Sequence, residues 1–473
     1  MLFSDLNKIF VKSNIIGKLP KKKIKFISDH SNNITANTLF VINQKRNFKL
    51  SYLHEAISKN LNTIITNRSI ENLSVNQIIV KDLDKEVLKL VKLIKPFRPK
   101  LLVAITGTNG KTSTTWFLSQ LCKINKIPSK LTGTLGYFVN MKKIKETKLT
   151  TPSNLDLYQF AHSTIKQNYN FISEASSHGI HQNRFKNIKI DVAAITNISH
   201  DHLDYHESFD EYVNTKISLL TKSLSSNGVA VINSQLKKYK MIEKKLKNKK
   251  IKMITYGSKD VFFINNDNLY LNIFGKKYKL DKFKLENKIQ KENLECAIAC
   301  ALAMKIKPKK IINCLSMLKA APGRFETINF RKKKSKIIID YAHTPDALEN
   351  ILKNFSYNKF KPSLVFGCGG DRDKLKRRKM GLVAAKYANK IYITDDNPRN
   401  ENPKNIRKIL KKYCPKGFEI PNRKKAIHYA ISRLDLNDIL IIAGKGHEKY
   451  QLIKNKKIDF DDFKITKNII SEL

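Results

Sequence analysis

Gly107-Thr108-Asn109-Gly110-Lys111-Thr112 is the stretch that most limits what this chain can fold into. The apolar run Leu101-Leu102-Val103-Ala104-Ile105 precedes it, and a helical pattern from Ser113 to Lys123 follows. Strand, glycine turn, Lys-Thr and helix together make a phosphate cradle. Backbone N–H groups and the helix N-terminus face the phosphates, the lysine neutralises β/γ oxygens, and the threonine hydroxyl reaches Mg²⁺. The pattern predicts binding of ATP or GTP through Gly107, Thr108, Asn109, Gly110, Lys111 and Thr112. Ile105 stands where the full G-x-x-x-x-G-K-[ST] pattern has its first glycine, so this is not an ordinary P-loop ATPase. The alternative, a glycine turn beside a chance Lys-Thr, leaves the flanking strand and helix unexplained.

A chain of 473 residues suggests about three domains. Residues 1–98 hold short alternating segments, with a strand at Thr38–Ile42 and a helix from Tyr52 to Lys59. Lys95-Pro96-Phe97-Arg98-Pro99 reads as a linker, since two close prolines disfavour helix. Residues 99–323 alternate strands (Phe171–Ser173, Val192–Thr196, Val229–Ile232) with helices (Leu155 to Gln167, Phe209 to Ser223). That alternation predicts a parallel-sheet α/β unit ending at Pro322-Gly323-Arg324. Residues 324–473 repeat the layout, with strands at Ile337–Ile339, Ser363–Phe366, Lys390–Ile393 and Asp438–Ile442. The expected fold is therefore α/β: a substrate-binding first domain, a central P-loop-type parallel-sheet ATPase domain and a Rossmann-like C-terminal domain.

The formal net charge of +50 raises the question of a nucleic-acid or membrane partner. The basic residues are spread along the whole chain and accompany abundant Asn and Ile, as in a compositional drift. Lys21–Lys23, Lys247–Lys250 and Arg331–Lys334 read as solvated turns or helix faces rather than a groove interleaved with aromatics. No nucleic acid is expected as partner. Six cysteines without a C-x-x-C pair suit neither a zinc site nor a disulfide framework, which points to a reducing cytoplasm. No apolar run approaches a membrane span, so a soluble cytoplasmic protein without membrane insertion is expected.

Polar turns follow most of the strands. Glu174 opens Glu174-Ala175-Ser176-Ser177-His178-Gly179, and Asp201-His202-Leu203-Asp204-Tyr205-His206 follows another strand. A phosphate-transferring site needs hard oxygen ligands for Mg²⁺. Glu174, with a carbonyl or imidazole from the second turn, can supply them; Lys216 lies downstream on a helical pattern. In the third block, Asp340 suits a ribose hydroxyl and His343 a place near the nucleotide. Arg372 and Arg399 can each fork onto a carboxylate, and Glu448 can take an ammonium, which together suit a zwitterionic amino acid. Each turn taken alone is equally well a surface turn.

In order along the chain, GTNGKT (107–112), TTPSNLDL (150–157), EASSHG (174–179), TNISHDHLDYH (196–206), PGRFE (322–326), DYAHTPDAL (340–348), FGCGGDRDK (366–374), DDNPR (395–399) and AGKGHE (443–448) are the motifs of a known family. Over nearly its whole length the chain resembles the Mur ligases of peptidoglycan synthesis, most closely those adding the third amino acid, meso-diaminopimelate. The resemblance implies an ATP-dependent acid–amino-acid ligase of cell-wall biogenesis, and so of cell shape and division. Its substrates are UDP-N-acetylmuramoyl-L-Ala-D-Glu, meso-diaminopimelate and ATP, its cofactor Mg²⁺ and its state a monomer. It implies that Lys111 and Thr112 hold the ATP phosphates and Mg²⁺, and that Glu174, His202 and a carbamylated Lys216 serve the metal and catalysis. It places Asn293, Arg324, Asp340 and His343 at the nucleotide. Ser31, Thr150, Thr151, Ser176, Gln182 and Arg184 fall to the UDP substrate, and Arg372, Asn397, Arg399, Gly444 and Glu448 to diaminopimelate.

In that family, Asp-Asn-Pro-Arg goes with diaminopimelate, whose second carboxylate lysine lacks. Lysine would leave Arg399 unpaired, at roughly 1–3 kcal/mol for a buried group. Two departures stand out. His30-Ser31-Asn32 replaces the family's Asp-Ser-Arg near the uridine, and Leu375-Lys376-Arg377-Arg378 replaces a common Gly-Lys-Arg-Pro. Substrates held by three domains predict closure about residues 95–100 and 322–326. The competing readings are lysine addition, a folylpolyglutamate synthase and a nucleic-acid-binding ATPase. Arg399 argues against the first. The first block and Gly444-Lys445-Gly446-His447-Glu448 argue against the second, and the acidic, His-bearing turns against the third.

Overall fold

The computed structural model describes residues 1–11, 13–31, 34–44, 49–147, 149–199, 201, 205–265, 268–280, 283, 288–355, 361–454 and 456–473. Runs of Ile, Val, Leu and Thr form its strands, because branched side chains suit a buried pleated surface. In the first domain, β1 (Asn14–Ile16), β2 (Phe26–Ser28), β3 (Thr38–Ile42), β4 (Thr63–Thr66) and β5 (Asn76–Ile79) form a sheet of order β1-β5-β4-β3-β2. All its pairings are parallel except β1 with β5. The strand expected at Thr38–Ile42 forms over those residues, and the helix expected from Tyr52 runs Leu50–Ser58. A second helix, Leu83–Ile94, is capped by Asp82 and buries Leu83, Val87, Leu90 and Val91 along one stripe. It ends at the Lys95–Pro99 linker, where Phe97 bridges Ser163 of the next domain.

The central domain is built on β6 (Leu102–Thr106), β7 (Ser129–Gly133), β8 (Gly136–Val139), β9 (Lys142–Lys145), β10 (Asn170–Glu174), β11 (Ile190–Ile195), β12 (Leu224–Asn233), β13 (Lys252–Tyr256), β14 (Val261–Asn265), β15 (Leu269–Ile273) and β16 (Lys276–Lys279). Their order is β16-β15-β14-β13-β12-β11-β6-β10-β7-β8-β9. The sheet has the expected parallel strands and is mixed at its edges. Its centre is parallel, but β7-β8-β9 and β14-β15-β16 are antiparallel hairpin extensions at the two edges. The outermost strands, β9 and β16, carry exposed lysines where the parallel strands carry buried aliphatics, so they lack the signal of a covered strand.

One correction concerns the helix expected from Leu155 to Gln167, which spans only Asn154–Ala161. His162 turns extended, its ring stacks 3.7 Å from that of Tyr158, and Ser163 exchanges backbone bonds with Phe97. Tertiary pairing with the linker thus overrides local helical propensity.

Helix α1 (Lys111–Ile124) leaves the glycine loop and packs on α3 (Lys288–Ala303); α2 (Phe209–Lys222) leads into β12. Residues 293–301 of α3 are all buried, so this helix lies covered on every side inside the domain. Its small Ala and Cys side chains suit close packing on α1.

In the third domain, β17 (Glu326–Phe330), β18 (Ser335–Asp340), β19 (Ser363–Phe366), β20 (Ile391–Ile393), β21 (Phe418–Glu419) and β22 (Ile439–Ala443) have the order β17-β18-β22-β19-β20-β21. All pair in parallel except β17 with β18. Two buried arginines brace this domain. Arg377 forks onto Glu401, and Arg423 forks onto Asp462 while also donating to the Ala443 carbonyl.

The lysine runs at 21–23 and 247–250 are exposed, as expected of solvated turns. All six cysteines are free and buried. Among the described residues, no helix is long and apolar enough to cross a membrane.

One charge inside the central domain makes stability depend on pH. Glu295 of α3 is 1% exposed, accepts the Phe263 N–H at 2.8 Å, and is pushed up by burial to about 7. A carboxyl raised on folding favours the native state while protonated, and that contribution is lost as pH climbs from the usual carboxylate range through about 7. Glu295→Gln keeps the acceptor oxygen and should raise the thermal midpoint at pH 8 while leaving it nearly unchanged at pH 4, below the unfolded carboxyl's range. Equal gains at both pH values would remove ionisation as the cause.

Candidate active site

β6 lies between β10 and β11, and the chain crosses over it in passing from β10 to β11. The carboxyl ends of these three strands therefore border one crevice, the position at which open α/β sheets take ligands. Gly107–Gly110 occupies the middle of it. The end of β11 clamps the loop: Asn109 N donates to Asn197 Oδ1 at 2.8 Å, Thr108 N donates to the Asn197 carbonyl at 3.0 Å, and Thr196 Oγ1 and Asn197 Nδ2 donate to the Asn109 carbonyl at 2.5 and 3.1 Å. Thr108 Oγ1 shares a hydrogen bond with the Tyr212 hydroxyl at 2.9 Å. Two glycines are required by close approach. A Cβ on Gly107 would lie 1.8 Å from Thr196 Oγ1, and one on Gly110, at φ +82°, would lie 2.1 Å from Asn293 Oδ1.

Two lysines share this loop. Lys111 Nζ donates to the Gly107 and Thr108 carbonyls at 2.8 and 2.9 Å, and Lys216 Nζ to the Gly107 carbonyl at 2.9 Å. Burial lowers the Lys111 ammonium, against the pull of Glu174. Burial, then the neighbouring Lys111, holds Lys216 well below the usual lysine range. Its Nζ sits 4.4 Å over the Tyr212 ring.

Glu174 ends β10 with its carboxylate buried against Gly133, where a Cβ would approach Oε1 to 2.1 Å. Burial raises its carboxyl despite Lys111 and three hydrogen-bond donors: Thr112 Oγ1, Thr134 N and Thr134 Oγ1. His202 lies outside the described residues.

The residues singled out for the UDP substrate divide in two. Thr151 Oγ1 donates to the Glu174 carbonyl and accepts from Ser176 N and Oγ, and Arg184 reaches both the Thr151 carbonyl and Gln182 Oε1. Gln182 Nε2 donates to the Tyr205 hydroxyl, and Thr150 Oγ1 lies 3.2 Å from Thr134 Oγ1. Ser31 instead bonds within the first domain, donating to Glu55 at 2.7 Å. Asn32 lies outside the described residues, and His30 sits beside Asp29 and Asp156 across the domain boundary.

From the third domain, Arg324 stacks its guanidinium 4.2 Å over Tyr341, and its Nη2 lies 3.5 Å from Thr112 Oγ1. Asp340 accepts Phe325 N and Ala342 N, so its carboxylate braces the turn that carries Arg324. His343 Nδ1 donates to the Tyr341 carbonyl at 2.9 Å, and the residue is exposed. At the carboxyl edge of β19, β20 and β22, Asn397 Nδ2 donates to Glu448 Oε2 at 2.8 Å, and buried Lys445 donates to Asn397 Oδ1 and Glu448 Oε2. Arg399, at φ +52°, donates to the Gly370 carbonyl at 2.8 Å. Arg399 and the exposed Arg372 flank Gly369, and Gly444 lies against Asp396.

The motifs did not single out Thr134 or Tyr212 for a role, nor Lys445 although it lies inside one of them. The glycine-bracketed Gly133-Thr134-Leu135-Gly136 was the one sequence signal for Thr134. Gly110→Ala, which strains φ and strikes Asn293, should lower ATP affinity by about tenfold or more in a calorimetric titration, about 1.4 kcal/mol. Unchanged affinity would separate the loop from the nucleotide.

Comparison with known proteins places the chain in a family. A model of the Mur ligase middle domain matches residues 105–301, and one of the Mur ligase, glutamate ligase domain matches residues 323–446. A UDP-N-acetylmuramoyl-L-alanyl-D-glutamate–2,6-diaminopimelate ligase of Rickettsia bellii is 37% identical over 461 residues, 94% of this chain and 95% of the relative. Its counterpart in Anaplasma marginale is 39% identical over 390 residues, 80% of each chain. A solved structure of a ligase of that same name superposes with a TM-score of 0.60 at 28% identity, covering 100% of this chain and 99% of the other. With its glycine loop at the switch point, its motif-bearing turns at the carboxyl edges of two sheets and these matches end to end, the chain belongs to the Mur ligase family.

Proposed function

We infer that this chain is the ATP-dependent ligase that joins meso-diaminopimelate to the D-Glu side-chain carboxylate of UDP-N-acetylmuramoyl-L-Ala-D-Glu, in peptidoglycan precursor synthesis. Relatives matched over nearly their full length carry that name. The observation that carries the amino-acid assignment is Arg399 standing beside the Asn397–Lys445–Glu448 cluster. Both recorded bonds to Glu448 fall on Oε2, and we assign Oε1 to an ammonium of the incoming amino acid. Arg399 and Arg372 we assign to a carboxylate. Diaminopimelate offers two carboxylates where lysine offers one.

The substrate carboxylate attacks the γ-phosphate of ATP to give an acyl phosphate and ADP. The amine then attacks the acyl carbon, and phosphate leaves from a tetrahedral intermediate. The protein's part is charge neutralisation and positioning. Lys111 exchanges two loop carbonyls for phosphate oxygens, which are better partners for an ammonium. Asn293 packs on the loop from behind, and Arg324 approaches Thr112 from the third domain. Thr150, Thr151, Ser176, Gln182 and Arg184 line the side from which the UDP-linked peptide enters.

A buried carboxylate 3.0 Å from a threonine hydroxyl offers hard oxygen ligands that fit a dication. Thr112 and Glu174, with His202, are the residues we assign to Mg²⁺. When bound, Mg²⁺ offsets the repulsion between a carboxylate and a triphosphate. Lys216 is held toward its neutral amine, the form that reacts with CO₂, which supports its assignment as the carbamylated lysine. Six buried, unpaired cysteines support action in the reducing cytoplasm.

Phosphate release from ATP with UDP-N-acetylmuramoyl-L-Ala-D-Glu tests the reading. Turnover is expected with meso-diaminopimelate and not with L-lysine or without an amino acid. Arg399→Ala should lower kcat/KM for diaminopimelate by about tenfold to a hundredfold, as for a lost group of 1–3 kcal/mol. A preference for lysine would sink the Arg399 assignment, and no turnover with either would sink the acceptor.

A further inference from the structure

Thr134 touches both halves of the cleft although no motif points to it. It is the first residue of the two-residue turn between β7 and β8, held by the pairing of Gly133 with Gly136. Its N–H donates to Glu174 Oε1 at 2.8 Å, and its hydroxyl lies 3.1 Å from Glu174 Oε2 and 3.2 Å from Thr150 Oγ1. The Thr134 hydroxyl is placed to donate to either Glu174 Oε2 or Thr150 Oγ1, and one hydroxyl carries one proton. The two acceptors therefore compete for it. A substrate that takes up the Thr150 hydroxyl leaves the Thr134 proton wholly to Glu174, which links the two sites through Thr134.

Of the three bonds to Glu174, the one from Thr112 comes from a hydroxyl assigned above to the metal. The two from Thr134 are then the bonds that keep the carboxylate aimed once Thr112 has turned to the ion. Gly133 allows no other support on that side, because the carboxylate lies against its Cα.

We propose that Thr134 is a positioning residue that aims the Glu174 carboxylate into the Mg²⁺ site and couples that site to the UDP-linked substrate through Thr150. The proposal rests on the assignments of Glu174 and Thr150 made above. Coupling is reciprocal: a substrate that orders Thr150 tightens the metal, and the metal tightens the substrate.

Mn²⁺ in place of Mg²⁺ gives a readout that needs no turnover. Its affinity is measured from the paramagnetic resonance of the free ion, on the full chain with a non-hydrolysable ATP analogue, with and without UDP-N-acetylmuramoyl-L-Ala-D-Glu. Wild type should bind Mn²⁺ more tightly with the dipeptide substrate present. Thr134→Val keeps the N–H and the shape; it should weaken Mn²⁺ about tenfold, as for loss of a partner that orients a metal ligand, and abolish the substrate effect. Thr134→Ser, which restores the hydroxyl, should bind within about twofold of wild type. Thermal midpoints of both variants should match wild type. Mn²⁺ affinity and substrate effect unchanged in Thr134→Val overturn the proposal. So does Thr134→Ser as impaired as Thr134→Val, which would place the role in packing. If diaminopimelate transfer fails while the Mn²⁺ results hold, the functional reading falls and the positioning role stands.

Discussion

The polar end of β11 gripping the glycine loop is the contact on which the rest of this enzyme depends. A loop of two glycines and two short polar residues has little intrinsic order, and ordering each backbone residue costs about 1–2 kcal/mol. Thr196 and Asn197 meet that cost with bonds to the N–H and carbonyl of Asn109 and to the N–H of Thr108. β11 is itself registered residue by residue against β6, so the grip is inherited from the sheet. Lys111 and Lys216 then converge on one carbonyl, that of Gly107. Lys216 is held toward its neutral amine, so the ammonium of Lys111 is left with two neutral loop carbonyls as its hydrogen-bond partners. A polyanion is the partner that satisfies it.

Much of this was legible in the sequence because the chemistry sits where strands end. The strand Thr38–Ile42, the parallel strands β6, β10, β11, β12, β18, β19, β20 and β22, and the helix starting at Phe209 follow from aliphatic runs and punctuation. The edge hairpins were not legible. Lys142–Lys145 is a strand only because β8 offers it a partner, and no buried face marks it. The helix from Asn154 stopped early for the same kind of reason, a bond to a residue more than sixty positions away. Among site residues, glycine and charged motifs announced Glu174, Lys111 and Arg399. Thr134 was hidden because one threonine in a hairpin turn carries no pattern; only the carboxylate it meets across the sheet gives it meaning.

The charge imbalance has a structural complement. With 90 Lys and Arg against 40 Asp and Glu, carboxylates are the scarce partner. Several are spent inside the third domain. Arg377 takes Glu401, Arg407 takes both Asp395 and Glu419, and Arg423 takes Asp462. A buried cation left without its carboxylate destabilises by about 3–5 kcal/mol, whereas an exposed lysine without one loses almost nothing. Drift toward lysine can therefore run freely over the surface while these pairs keep their partners.

The burial of all six thiols has a practical side. To a maleimide or nitroxide reagent the native molecule presents no ready attachment point. A cysteine introduced on an exposed face of each outer domain would be a unique handle, so labels could be placed in pairs without first removing natural cysteines. The distance between such labels, with and without nucleotide and peptide substrate, would report directly whether the first and third domains move relative to each other.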